Sequence, residues 1–256
     1  MTGLLNLDDA RALLERARKH YAEFDALVRP RGGLGLWKLT EGRDPRTGEY
    51  FYQLEIDRQK LIEAKPIIAD GATNIASALD HVVAAIAKAN GHARSRSLYF
   101  PLGFTDDMFA KAMNKVQPFI GSEMAGVLTT VRGARRHEVP HVEAAKQISN
   151  SGKHWELMLA SEAAHGIGIN VPGEGQRFFD LPANAFVNAS AFEYHRSTER
   201  LPQVPHSIVI GQTIGGLDES LPKSPNSIFE CSFRFVEAVL SAVQGSAARV
   251  QNSSTS

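Results

Sequence analysis

The spacing of apolar residues switches between a helical and a strand period four times along this chain, and each switch ties a stretch to one kind of secondary structure. Leu7, Ala10, Leu14, Ala17, Tyr21, Phe24 and Val28 recur three or four residues apart, with Leu13 and Leu27 widening the stripe, which predicts a long amphipathic helix. Asn6 stands where an N-cap is needed, Asp8 and Asp9 complement the positive end of the helix dipole, and Pro30, Gly32 and Gly33 end the helix. The period then becomes two: Leu34, Leu36 and Leu39 surround Trp37, and after the turn-rich EGRDPRTGE stretch Tyr50, Tyr52, Leu54 and Ile56 alternate with Phe51, Gln53, Glu55 and Asp57. Residues 34–57 are therefore predicted as a β-hairpin with a long loop.

A helical period returns with Ile68, Ala72, Ile75, Leu79, Val82 and Ile86 and stops at Asn90 and Gly91. Further helices are predicted around Phe109, Met113 and Val116, around Met124, Val127, Leu128 and Val131, and from Pro140 through Ile148. Phe100–Pro101 and Gln117–Pro118 read as turns, because proline disfavours helix at the residue before it. From residue 155 to about 215 the pattern is strand-like: Ile167, Ile169 and Val171 alternate, followed by 177–181, 191–194 and 207–214, with Gly173, Gly175, Pro182, Pro202 and Pro205 between them. Ile228, Phe229, Phe233, Val236, Leu240 and Val243 close the chain with one more amphipathic helix, and 246–256 reads as a disordered tail.

The expected fold is α+β: a bundle of long amphipathic helices, an N-terminal hairpin and a C-terminal, mostly antiparallel β region, closed by a final helix over about 227–244. No linker composition divides residues 1–245, so one domain is expected, with a helical part over 1–154 and a β-rich part over 155–215.

Composition narrows the function classes. The 28 Lys and Arg balance 28 Asp and Glu, which argues against a basic nucleic-acid platform. The longest uncharged stretch, Leu201 to Leu217, contains Pro202, Gln203, Pro205 and His206, so no membrane span is expected. Cys231 is the single cysteine and cannot form an intrachain disulfide, while the opening MTGLLNLDDARALLER carries acids and arginines where a signal peptide needs an apolar run. A cytoplasmic protein is the expectation.

Candidate chemistry is sparse. Asp80 and His81 follow Leu79 on a helix and project to opposite sides of its apolar stripe, so they cannot act as one dyad. In ISNSGKHW, Lys153 and His154 end a helix, where cations suit the negative end of the dipole and could hold a carboxylate or phosphate; His154 stands where a phosphate-binding loop would need Ser or Thr. In RGARRHEVPH, Arg132, Arg135, Arg136, His137 and His141 crowd into one helix-to-helix connection and form a second set of anion-binding candidates. The pairs Arg132/His137 and Arg136/His141 have an Arg-x4-His spacing that resembles the catalytic pattern of HEPN-type ribonucleases, although Pro140 interrupts the helix between His137 and His141. The same two histidines have the spacing of a zinc pair, with Glu138 and Glu143 as nearby oxygen donors, but HExxH and a cysteine pair are both missing, so no metal and no other cofactor is expected. GxSxG and GxGxxG are also absent, and Cys231 reads as a packing residue.

Taken in order, SALDHVV (77–83), YFPL (99–102), QPF (117–119) and GKHW (152–155) resemble a family of uncharacterised bacterial proteins in which an LDH helix is followed by FP, QPY and DKH segments. The resemblance covers about residues 71–159; Ala76 and Gly152 depart from it, where the family often carries Arg and Asp. It implies architecture and no chemistry. The expectation is that His81, Gln117, Lys153 and His154 converge where the helical half meets the β half and bind a small polar or anionic ligand. The alternatives are a hydrolase or ribonuclease that uses histidine with Arg or Lys, and a subunit of a homo-oligomer whose apolar surface is covered by association.

Overall fold

The computed structural model describes residues 4–28, 35–93, 95, 98–154, 160–171, 175–182, 189–201 and 206–253. The order is α1 (Asp8–Val28), β1 (Trp37–Arg43), β2 (Tyr50–Ile56), α2 (Arg58–Ala89), α3 (Asp106–Ala134), α4 (Val139–His154), β3 (Ala160–Val171), β4 (Gly175–Asp180), β5 (Ala191–Ser197), β6 (His206–Thr213) and α5 (Pro225–Ser253). The fold is α+β, with five helices and antiparallel strands among the described residues. The chain divides into two compact units: one of Met1–Tyr21, Ile68–Leu157 and Leu217–Ser256, the other of Ala22–Ile67 and Met158–Gly216. Two of the boundaries fall inside α1 and α2, and the one after Gly216 falls at a turn.

The first unit is built from helices whose apolar stripes are its core. Leu14 and Ala17 of α1, Ile75, Leu79 and Val82 of α2, Leu128 of α3, Ile148 of α4 and Phe229, Val236 and Val243 of α5 are all buried. At its start, α1 is capped by Asn6, whose side chain accepts the Asp8 N–H at 2.7 Å. α1 and α5 run antiparallel. Arg11 donates to Gln244 at 2.7 Å, Arg18 pairs with Glu237, and the Tyr21 hydroxyl donates to Asn226 at 3.1 Å, so contacts climb one helix as they descend the other. α2 approaches α5 closely at Gly71: a Cβ there would lie 2.7 Å from the Phe229 ring. That ring is fully buried and stacks on Tyr21 at 5.3 Å.

Three boundaries differ from the sequence expectation. α2 starts at Arg58, ten residues before the apolar stripe, because Asp57 accepts the Lys60 N–H at 3.1 Å and caps it; Pro66 is accommodated inside the helix. Gln117–Pro118 is not a turn. The break comes at Gly121, whose φ of 80° and ψ of 162° separate α3 into two arms, 106–120 and 122–134. That conformation is nearly exclusive to glycine. The arms double back: Arg132 near the end of α3 donates to Asp106 at its start, at 2.8 Å. Asn90, just after α2, donates to the Phe119 carbonyl at 3.1 Å, satisfying a group freed by the break. Finally, α5 continues to Ser253 where a disordered tail is expected from 246, because Ala247 is buried and Ser246 donates to Glu123 of α3 at 2.9 Å.

The second unit contains the predicted hairpin. β1 and β2 pair antiparallel from Trp37 opposite Ile56 to Arg43 opposite Tyr50, and β5 adds to β2 across a register shift between Tyr52 and Gln53. The order β1-β2-β5 makes one sheet and β4-β3-β6 the other. The hairpin loop is fixed by Asp44, which accepts the N–H groups of Arg46 and Thr47, and by Arg196, which donates to Asp44 at 3.0 Å. On the buried face of β2, the Tyr52 hydroxyl accepts the Leu201 N–H at 2.7 Å.

Candidate functional site

The candidates His81, Gln117, Lys153 and His154 lie on three helices, α2, α3 and α4. His81 is exposed on α2, and its Nδ1 lies 3.8 Å from an Asp9 carboxylate oxygen on α1. Its neighbour Asp80 turns the other way and accepts the Phe100 N–H at 2.8 Å, so the LDH and FP segments touch through a structural hydrogen bond. Gln117 is exposed on the first arm of α3. Lys153 and His154 complete the backbone of α4, but their side chains lie outside the described residues.

The arginine-rich connection is largely self-satisfied. Arg132 is only 12% exposed: it donates to Asp106 and to the Gly103 carbonyl at 3.2 Å and covers the Phe109 ring at 4.4 Å. Arg136 lies 3.8 Å from Asp106, whose carboxyl is held below its usual pKa first by the Arg132 hydrogen bond and then by Arg136. Glu138 is fully buried and accepts from Arg234 of α5 at 3.2 Å and from Arg135 at 3.4 Å, with His137 Nε2 3.6 Å away. Its backbone carbonyl receives the His141 and Val142 N–H groups and starts α4, so His137 precedes the helix and His141 lies within it. Burial pushes the His141 imidazole below its ordinary pKa, and burial pushes the Cys231 thiol up, away from the thiolate that a nucleophile needs. Among the described residues no group of three or more His, Cys, Asp or Glu side chains is arranged to hold a metal ion.

A cleft in the helical unit brings together residues that periodicity did not single out. Its volume is about 390 Å³. Phe104, just before α3, and Met108, in its first turn, form one wall; Glu143, Lys146, Gln147 and Asn150 of α4 form another; Asp218, Ser220 and Leu221 of the connection to α5 complete it. Each wall has a local cause. Thr105 caps α3 by accepting the Met108 N–H at 3.2 Å, and Arg132 grips Gly103 and Asp106 on either side of Phe104. The connection is held by Asp218, which accepts both the N–H and the hydroxyl of Ser220, and by Gln147, which accepts the Asp218 N–H at 3.3 Å.

On α4 the residues 143, 146, 147 and 150 share one face, opposite buried Val142, Ala145, Ile148 and Ser149. Such a polar face is ordinarily solvated and exposed, yet Glu143, Lys146 and Gln147 are half-buried here. Burial raises the Glu143 carboxyl above its usual pKa, with Lys146 and Arg132 opposing the shift more weakly. Asp218 moves the opposite way, lowered by its hydrogen bonds from Ser220. Among the described residues, no hydrogen bond or ion pair engages the Glu143 carboxylate, the Lys146 ammonium or the Asn150 amide. Across from them, Phe104 is 44% and Met108 54% exposed, both large apolar side chains facing water.

No family model, curated protein or solved structure matches the chain. Its chemistry is therefore read from its own residues. The cleft offers a carboxyl group, an ammonium group and a carboxamide along one helix face, with an apolar wall beside them. This arrangement suits recognition of a small molecule that has both polar and apolar parts. The signal in the sequence that points to this face is four polar residues, Glu143, Lys146, Gln147 and Asn150, at i, i+3, i+4 and i+7.

Proposed function

We propose that this protein binds a small amphipathic organic molecule in the cleft between the start of α3, α4 and the connection preceding α5. The observation that carries the reading is the polar face of α4, where half-buried Glu143 and Lys146 and exposed Asn150 have no hydrogen-bond or ion-pair partner among the described residues and lie beside exposed Phe104 and Met108. Polar groups that are not engaged within the protein can pair with those of a ligand, and apolar side chains that face water are stabilised when a ligand covers them. A small molecule with both kinds of group can make both contacts at once. Lys146 supports the expectation of a polar or anionic ligand by offering a cation in the cleft.

The balanced charge and single cysteine support a cytoplasmic setting, and the ordered LDH, FP, QPF and GKHW segments support a bacterial origin. Among the described residues no helix is long and apolar enough to cross a membrane.

The test is a titration of protein carrying ¹³C-methyl methionine with a panel of small amines, carboxylates, amides and zwitterions. The Met108 methyl resonance is expected to shift saturably with at least one class at concentrations of about 1 mM or lower. If no compound moves it, the cleft is not a binding site and the reading falls.

A further inference from the structure

The chemical groups in the cleft define a ligand more narrowly than size and polarity do. Glu143 and Lys146 are one turn apart on the same face of α4, about 4.5 Å along the helix axis, and Asn150 follows a turn later. Negative and positive groups are therefore presented side by side without being within ion-pair distance of each other, so each remains available to an outside partner. A ligand with only a cation leaves the half-buried ammonium unmatched, and one with only an anion leaves the carboxylate unmatched. An ammonium and a carboxylate attached to one carbon match both. The Asn150 amide can add a donor to the ligand carboxylate, and Phe104, Met108 and Leu221 face whatever the same carbon carries in addition.

We propose that the cleft recognises a free α-amino acid with an apolar side chain: its ammonium on Glu143, its carboxylate on Lys146 and Asn150, and its side chain on Phe104, Met108 and Leu221. The proposal rests on the cleft being the binding site. It adds the identity of the ligand class and the role of each residue.

The experiment titrates the full chain with L-leucine, L-methionine and L-phenylalanine, and with two truncated forms of leucine: 3-methylbutylamine, which lacks the carboxylate, and 4-methylpentanoate, which lacks the amine. Binding is read calorimetrically and from the Met108 methyl resonance. At least one amino acid is expected to bind at Met108, and for leucine each truncation is expected to weaken binding by about tenfold or more, the loss of a hydrogen bond to a charged group. Glu143→Gln should weaken leucine and leave 4-methylpentanoate unchanged, whereas Lys146→Gln should weaken leucine and leave 3-methylbutylamine unchanged. Both side chains are partly exposed, so neither substitution removes a core contact.

Binding of a truncated form as tightly as leucine overturns the amino-acid assignment while leaving the cleft as a site. Binding of leucine that neither substitution weakens overturns the assigned roles. If no amino acid moves Met108 but another small molecule does, the ligand class is wrong and the cleft reading survives. If nothing moves Met108, both fail together.

Discussion

Replacing Gly71 with alanine sets two well-characterised effects against each other, and the structure says which prevails. Glycine inside a helix is disfavoured relative to alanine by about 1 kcal/mol, so the substitution on propensity alone stabilises. At Gly71 of α2, however, the new Cβ lies 2.7 Å and 3.0 Å from two carbons of the Phe229 ring and 3.4 Å from the His20 Cβ. The ring cannot retreat freely: it is fully buried, stacked on Tyr21 at 5.3 Å and edge-on to Phe233 at 5.9 Å. Overpacking of this kind costs about 1–3 kcal/mol, which after the propensity gain leaves Gly71→Ala a net destabilisation of up to about 2 kcal/mol. Gly126→Ala in α3 and Gly245→Ala in α5 are matched controls, because a Cβ at either position meets nothing within 4 Å. Both should gain up to about 1 kcal/mol. Thermal unfolding reads the difference at about 2–4 °C per kcal/mol for a chain of this size, with Gly71→Ala moving down and the controls moving up. If Gly71→Ala is as stable as Gly126→Ala, the close approach of α2 to α5 does not exist as described.

Gly121→Ala should destabilise by about 1–3 kcal/mol in urea unfolding although the space around it is open, because its φ of 80° with ψ of 162° strains any residue with a Cβ. Asp80→Ala leaves the Phe100 N–H without its acceptor and should cost about 1–2 kcal/mol, with faster hydrogen exchange at the Phe100 amide. His141 is held below the usual imidazole pKa by burial, so as pH falls below about 6.5 the unfolded chain takes up the proton first. The stability it contributes is present above that pH and is lost as pH falls towards the folded value. The urea midpoint of the native protein should drop more steeply between about pH 6.5 and 5 than that of His141→Gln, and parallel curves would refute the shift.

Much of the fold is legible in the sequence because burial imposes a period. The stripes 7–28, 68–86 and 228–243 all mark helices, and the alternation in 50–56 marks β2, since each needs one apolar side turned inward. What the pattern reads poorly is chain direction. Pro118 is the conspicuous helix breaker in the sequence, yet the reversal lies at Gly121, because a proline removes a donor and crowds the carbonyl one turn back but keeps a helical φ, whereas a positive φ redirects the backbone. Likewise the start of α2 is set by the Asp57 side chain, a single hydrogen bond that leaves no trace in hydrophobic spacing.

The chemistry was less legible, for a reason that Arg132 and Glu143 illustrate. Arg132 reads as an available cation in RGARRHEVPH, but the turn at Gly121 delivers it to Asp106 and Gly103 and employs it in holding the chain. Glu143 reads as an oxygen donor near a histidine pair, but it lines a cleft with Phe104, Met108 and the 218–221 connection, and burial raises its pKa. By itself the sequence determined which residues must be buried, and with them the helices, the hairpin and the α+β class, because the cost of exposing apolar surface acts on every residue of a stripe and is visible as its period. Only the tertiary structure decided which polar groups are satisfied and which remain free. That depends on partners many residues away, brought together by backbone geometry at single positions such as Gly121, and no local pattern records such meetings.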